Sequence, residues 1–180
     1  MKATGIVRRI DDLGRVVIPK EIRRVMRIRE GDPLEIYTEN DGGVVFKKYS
    51  PVGELSRVSE EYAEAINRTS GIPIAICDRD NVIAVSGVPR KEFLSKPISN
   101  GLSGVLTSRK TYTAEKGSVI TVTESGGEVS YLSPIVSDGS VIGAVMSLKQ
   151  SGKQSGKQSD GSEKKLVDAG AYFMSTQSEI

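Results

Sequence analysis

The sequence predicts two folded units: a small β-rich unit with one short helix over residues 1–50, built to dimerise, and an α+β domain over residues 57–180, with 51–56 as linker. Three observations predict this. Short β-branched runs broken by Gly and Asp turns fill the first 50 residues. Two helix-period stripes, within 54–69 and 163–178, bracket a series of apolar strand-like runs. Basic charge is gathered at one end: residues 1–50 hold 11 Lys+Arg against 8 Asp+Glu, and the remainder 14 against 15.

In the first unit, residues 5–10 and 15–18 alternate as strands around the turn Asp11-Asp12-Leu13-Gly14, where Gly14 suits a positive φ. Pro19 then sits where a first helical position tolerates it. Over Lys20–Arg27, Ile22, Val25 and Met26 share about a third of the helical wheel. Arg23, Arg24 and Arg27 take the opposite side. Residues 29–33 break the helix, 34–38 alternate as a third strand, Asn40-Asp41-Gly42-Gly43 is a hairpin turn, and 44–48 close as a fourth strand.

Four short strands and a short helix make a poor core. Units this small need disulfides, metals or oligomerisation. One cysteine and no histidine leave only the last. The unit is therefore expected to be an interlocked dimer, each chain completing the other's sheet, with a two-fold-related pair of arginine faces.

In the second unit, Leu55, Val58, Tyr62, Ala65, Ile66 and Thr69 form a helical stripe that reads as core or dimer seam. Strands are expected at 74–77, 82–86, 118–123, 129–136 and 141–148, and a helix starting near Pro89 that turns Phe93 and Leu94 inward. Residues 95–110 carry no clear period. Residues 151–162, SGKQSGKQSDGS, repeat a Ser-Gly-Lys-Gln tetrad and read as a flexible loop. The last helix, 163–178, carries Leu166, Gly170, Phe173 and Gln177 on one stripe and should pack beside the 54–69 helix. The expected sheet is mixed, with five or six strands.

Composition narrows the chemistry. Without histidine there is no Ser-His-Asp or Cys-His constellation, and no Cys/His metal cluster. Cys77 lies in the apolar run IPIAIC, where a buried, inert thiol is expected. No cofactor and no enzymatic activity are expected. The N-terminus lacks the apolar core of a signal peptide, and no apolar run approaches the roughly 20 residues of a membrane span. A cytoplasmic protein without a membrane partner is expected.

The seven arginines of residues 1–29 recur at each element instead of forming one run. Arg presents a planar fork suited to phosphate and guanine, so this layout points to duplex DNA. Lys2 and Arg9 are candidate phosphate contacts from charge and position. The competing readings are local. Arg8 shares strand parity with Ile6 and Ile10, Arg15 can pair with Asp11 or Asp12, and Arg23 and Arg24 with Glu21 or Glu30.

The string TGIVRRIDDLGRVVIPKEIRRVMRIREGDPLEIYTENDGGVVFKKY resembles the swapped-hairpin DNA-binding domain of the AbrB transition-state regulators. The resemblance rests on GIVR, D-x-LGRVVIP, the E-I-R-R helix, the G-D-x-L-E-I strand and the closing KKY, over about residues 3–50. Further on, YAEAI, I-C-D-R-D, IAVSG and PIV-x-DG-x-x-IGAV resemble the sensor-like, GAF-type domain of sporulation members. The resemblance implies a transcription factor of endospore-forming bacteria, activating some forespore genes and repressing others, associated with the nucleoid. It carries DNA contact onto Arg8, Arg15, Arg23 and Arg24. It also implies dimers through the N-terminal hairpins, tetramers through the terminal helices of the GAF-like domain, and an unidentified small-molecule effector there. An alternative is an antitoxin-like protein-binding module. Antitoxins of this fold carry a disordered toxin-wrapping tail, whereas a folded domain follows here.

Overall fold

The computed structural model describes residues 4–115, 118–149 and 161–178. Lys2 and residues 151–160 of the tandem-repeat segment lie outside the described residues. The chain divides into two compact units, Met1–Tyr49 and Ser50–Ile180.

In the first unit, helix α1 (Lys20–Val25) precedes strands β1 (Leu34–Thr38) and β2 (Val44–Lys48). The strands pair antiparallel, Leu34 opposite Lys48 and Thr38 opposite Val44. Glu39 N–H donates to Gly43 O and Gly42 N–H to Glu39 O, closing the hairpin at the Asn-Asp-Gly-Gly turn. The strands expected at 5–10 and 15–18 do not form within one chain. Their arms meet only at the turn, where Asp11 N–H donates to Arg15 O. A strand needs a ladder, and a single chain offers these arms none. Apolar surface is left in water accordingly: Val7 is 86% exposed, and Ile10, Val17 and Ile36 are exposed too. Among the described residues of this unit only Pro19 is buried as a whole residue, although the Asp32 side chain is also shielded.

The helix expected to reach Arg27 stops at Val25. Arg27 takes a left-handed φ of 52°. Ile28 N–H donates to Arg23 O at 2.7 Å and Arg27 N–H to Arg24 O at 3.3 Å, the pair of bonds that closes a Schellman end. Glycine is the usual residue there, and an L side chain costs roughly 1 kcal/mol. The expected apolar side of the helix is not covered: Ile22 is half-buried, while Val25 and Met26 are exposed.

The second unit begins with a helical turn, α2 (Pro51–Glu54), where the sequence reads as linker; Val52 is fully buried and ties it to the core. Then follow α3 (Ser56–Ser70), β3 (Ile74–Asp78), β4 (Val82–Ser86), α4 (Arg90–Phe93) and α5 (Asn100–Ser108). The unit ends with β5 (Tyr112–Thr113), β6 (Thr121–Thr123), β7 (Gly126–Ser137), β8 (Ser140–Leu148) and α6 (Ser162–Gln177). The sheet runs β4-β3-β8-β7-β5, with β6 also pairing β7. Every pairing is antiparallel, so the expected mixed sheet is corrected. Two tight hairpins account for much of this. Asp78–Asn81 returns β3 to β4, and Asp138-Gly139 returns β7 to β8.

Alternation along β3 sends Ile74 and Ile76 to one face and Ala75 and Cys77 to the other. The first face is covered by α3 through Ala63 and Ile66, and by α6 through Val167, Ala171 and Met174. The second is covered by Phe93, Leu102 and Leu106 from α4 and α5. Each fully buried aliphatic side chain contributes roughly 1.5–3 kcal/mol. Helix α6 packs beside α3 as expected, Tyr62 stacking on Phe173 at 6.1 Å and donating to Leu166 O at 2.6 Å. Its buried stripe is Val167, Gly170, Ala171 and Met174: Val167 and Met174, expected beside the stripe, lie at its centre with Gly170, while Phe173 and Gln177 are not buried. One face must serve both the sheet and α3, which turns Tyr172 outward and leaves Phe173 partly in water beside Tyr62.

Candidate nucleic-acid interface

Arg8, Arg9, Arg15, Arg23 and Arg24 are all exposed. Arg23 and Arg24 stand side by side in the last turn of α1, where cations also suit the negative end of the helix. Among the described residues neither Arg23 nor Arg24 pairs with a carboxylate, so the expected competitors Glu21 and Glu30 do not hold them. Arg8 and Arg9 lie on the arm before the first turn, flanked by exposed Val7 and Ile10.

Arg15 differs. Its Nε donates to Asp11 Oδ2 at 2.8 Å. The same carboxylate takes the N–H of Arg15 at 2.8 Å and of Leu13 at 3.1 Å on Oδ1. The backbone N–H and then the guanidinium of Arg15 hold the Asp11 carboxyl below its ordinary range. Gly14, at φ 77°, supplies the left-handed residue the turn requires. The sequence offered Asp11 and Asp12 equally, and the structure selects Asp11.

Sequence reasoning missed the fixture beneath α1. Lys48 Nζ donates to Arg27 O at 3.0 Å and lies 3.2 Å from Asp32 Oδ2. Asp32, with its side chain only 2% exposed, also accepts the Arg29 N–H at 2.8 Å. The closing KKY and the G-D of the strand start carried that signal. Lys48 holds the end of α1 to β2, and so fixes the turn that presents Arg23 and Arg24.

Among the described residues no group of three or more His, Cys, Asp or Glu is placed to hold a metal ion. Cys77 is fully buried, and burial, with Asp78 beside it, pushes its thiol far up, away from the reactive thiolate. No helix among the described residues is long and apolar enough to cross a membrane.

A family model described as "Stage V sporulation protein T C-terminal, transcription factor" matches residues 54–179. The chain belongs to the stage V sporulation protein T family. Stage V sporulation protein T of Bacillus subtilis (strain 168) is 47% identical over 182 residues, covering 99% of each chain. A second model, "Antidote-toxin recognition MazE, bacterial antitoxin", matches residues 7–54. Transition state regulatory protein AbrB of the same organism is 59% identical over 51 residues, 28% of this chain and 52% of that one. One solved structure, a methyl-accepting chemotaxis protein, residues 122 to 287, covers 69% of this chain and 88% of its own at 15% identity and a TM-score of 0.51. At that identity it speaks for the fold alone. The family makes this chain a sporulation transcription factor with an AbrB-like N-terminal unit and an α/β unit consistent with a GAF-like fold. The model over residues 54–179 is described as a transcription factor, and the AbrB relative as a transition state regulatory protein.

Proposed function

We propose that the chain regulates forespore genes by binding duplex DNA, activating some promoters and repressing others. Arg8, Arg15, Arg23 and Arg24 contact DNA, and Arg9 and Lys2 add phosphate contacts. The observation that carries this is the exposure of Arg23 and Arg24 on α1 without a carboxylate partner among the described residues. Unpaired guanidinium groups on an ordered element release phosphate counterions at no cost in broken ion pairs. Residues 1–50 act as a dimer, because the apolar side chains they expose need a second chain. Residues 57–180 join dimers into tetramers through the exposed Tyr172–Phe173 face of α6. Phe93, Leu102 and Val122 fill the layer beneath α4 and α5, which supports assembly over small-molecule sensing as the role of this unit. The protein works in the cytoplasm, on the nucleoid, without catalysing a reaction. Fluorescence anisotropy with promoter duplexes tests the reading: Arg23→Ala/Arg24→Ala should bind weakly while melting like wild type. Unchanged affinity would refute it.

The antitoxin-model match over residues 7–54 favours one second reading, a protein-binding module that also binds DNA. Co-purification of a stoichiometric small toxin with the full chain would favour it. A chain that purifies alone and binds DNA would exclude it.

A further inference from the structure

We propose that Asp11 is a positioning residue that commits Arg15 to an end-on approach to DNA, so that this arginine sets sequence preference more than it sets affinity. The inference rests on the DNA-binding reading above. Asp11 closes the turn from both sides. Its N–H donates to Arg15 O and its O accepts from Gly14 N–H, both at 3.0 Å. Its carboxylate takes the N–H of Leu13, the N–H of Arg15 and the Nε of Arg15. The loop that carries the guanidinium and the guanidinium itself are therefore held by one side chain.

A guanidinium has two forks, one made of Nε with one Nη and one made of the two Nη groups. Asp11 occupies Nε, which spoils the first for phosphate. The outer fork remains, and its two parallel donors match the O6/N7 edge of guanine. Among the described residues no other acceptor takes the Arg15 guanidinium. Arg15 is 69% exposed and Asp11 36%, so the fork stays open to a ligand.

The pair carries no net charge. An arginine neutralised in place adds little to counterion release and leaves general affinity to Arg8, Arg23 and Arg24. Holding the side chain beforehand removes the rotamer cost of binding, which is where a geometric preference gains.

The test uses the full chain and two probes. One is a duplex selected by the wild-type protein from a randomised pool, and the other is a scrambled duplex of equal length and composition. Asp11→Asn keeps a carbonyl oxygen for the two backbone N–H groups and loses the acceptor for Nε. The expected result is about a tenfold fall in the ratio of selected to scrambled affinity, a factor typical of one lost contact, with scrambled affinity equal or higher. Asp11→Ser, whose hydroxyl reaches the backbone N–H groups only, should give the same loss if the amide disturbs the turn. Arg15→Ala should lower the ratio as well, and Asp11→Asn/Arg15→Ala should be no worse than Arg15→Ala. An unchanged ratio in both Asp11 variants, equal weakening on both duplexes, or additive losses in the double variant would overturn the role of Asp11 and leave the DNA-binding reading standing. Wild-type binding by Arg15→Ala would instead remove Arg15 from the interface, and Asp11 with it.

Discussion

The backbone carbonyl of Cys77 on β3 occupies the space where a Cβ on Gly143 of β8 would stand. The two strands pair there, Asp78 opposite Gly143 and Cys77 opposite Ala144, at the centre of the sheet. The obstacle is backbone, so it cannot swing aside. Gly143→Ala should destabilise the second unit by about 2–4 kcal/mol, as overpacking plus a spread strand pair. Urea unfolding followed by far-UV circular dichroism measures this, and a loss under 0.5 kcal/mol would contradict the close approach.

Ser99 caps α5 and laces it to β6. Its hydroxyl accepts from Leu102 N–H at 3.0 Å and donates to Thr121 O at 2.6 Å, and the residue is buried. Ser99→Ala should cost about 1–2 kcal/mol, because a cap is lost and a carbonyl is left unpaired. The same unfolding measurement checks it.

That helix also marks where the sequence was readable and where it was not. Ser99 followed by Leu102 and Leu106 is a cap with an i, i+4 apolar pair, yet Gly101 and Gly104 between them weaken the helical signal. The hairpin 34–48 was fully legible, because alternation and an Asn-Asp-Gly-Gly turn act locally. The arms at 5–10 and 15–18 were not, since alternation announces a strand without naming the partner it needs. Strand direction across β3 and β8 depends on contacts 65 to 73 residues apart, which periodicity does not record. In the candidate site, the placement of Arg23 and Arg24 together on α1 was legible from helical spacing. The choice of Asp11 over Asp12, and the Lys48–Asp32 fixture, depend on turn geometry and on a pairing 16 residues away.

Alkaline pH should weaken the fold through tyrosine. Burial, and then the hydrogen bond to Asp168 Oδ1 at 2.9 Å, raise the Tyr131 phenol above its ordinary value; burial raises Tyr62. The folded state thus holds the proton more tightly than the unfolded one. Its contribution is complete below about pH 10, the unfolded tyrosine value, and is lost as pH rises through the folded value. Thermal melts from pH 8 upward should fall beyond that point, and Tyr131→Phe should flatten the fall. An identical alkaline slope in the variant would count against the Tyr131–Asp168 contact.

Assembly is testable at Tyr172, which is 74% exposed on α6. A carboxylate at a buried apolar seam is costly, whereas at a free surface it is neutral. On the proposed assembly wild type should sediment as a tetramer and Tyr172→Asp as a dimer, with an unchanged melt of the second unit. A variant that remains tetrameric would place the seam elsewhere.

The central claim is that exposed arginines of the first unit bind DNA phosphates. The salt dependence of promoter-duplex binding by the full chain tests it most directly. Wild type should lose affinity steeply between 50 and 200 mM salt, and Arg23→Ala or Arg24→Ala should flatten the log–log slope by about one unit for each phosphate contact removed. A slope identical to wild type in Arg23→Ala/Arg24→Ala, at unchanged affinity, would contradict it.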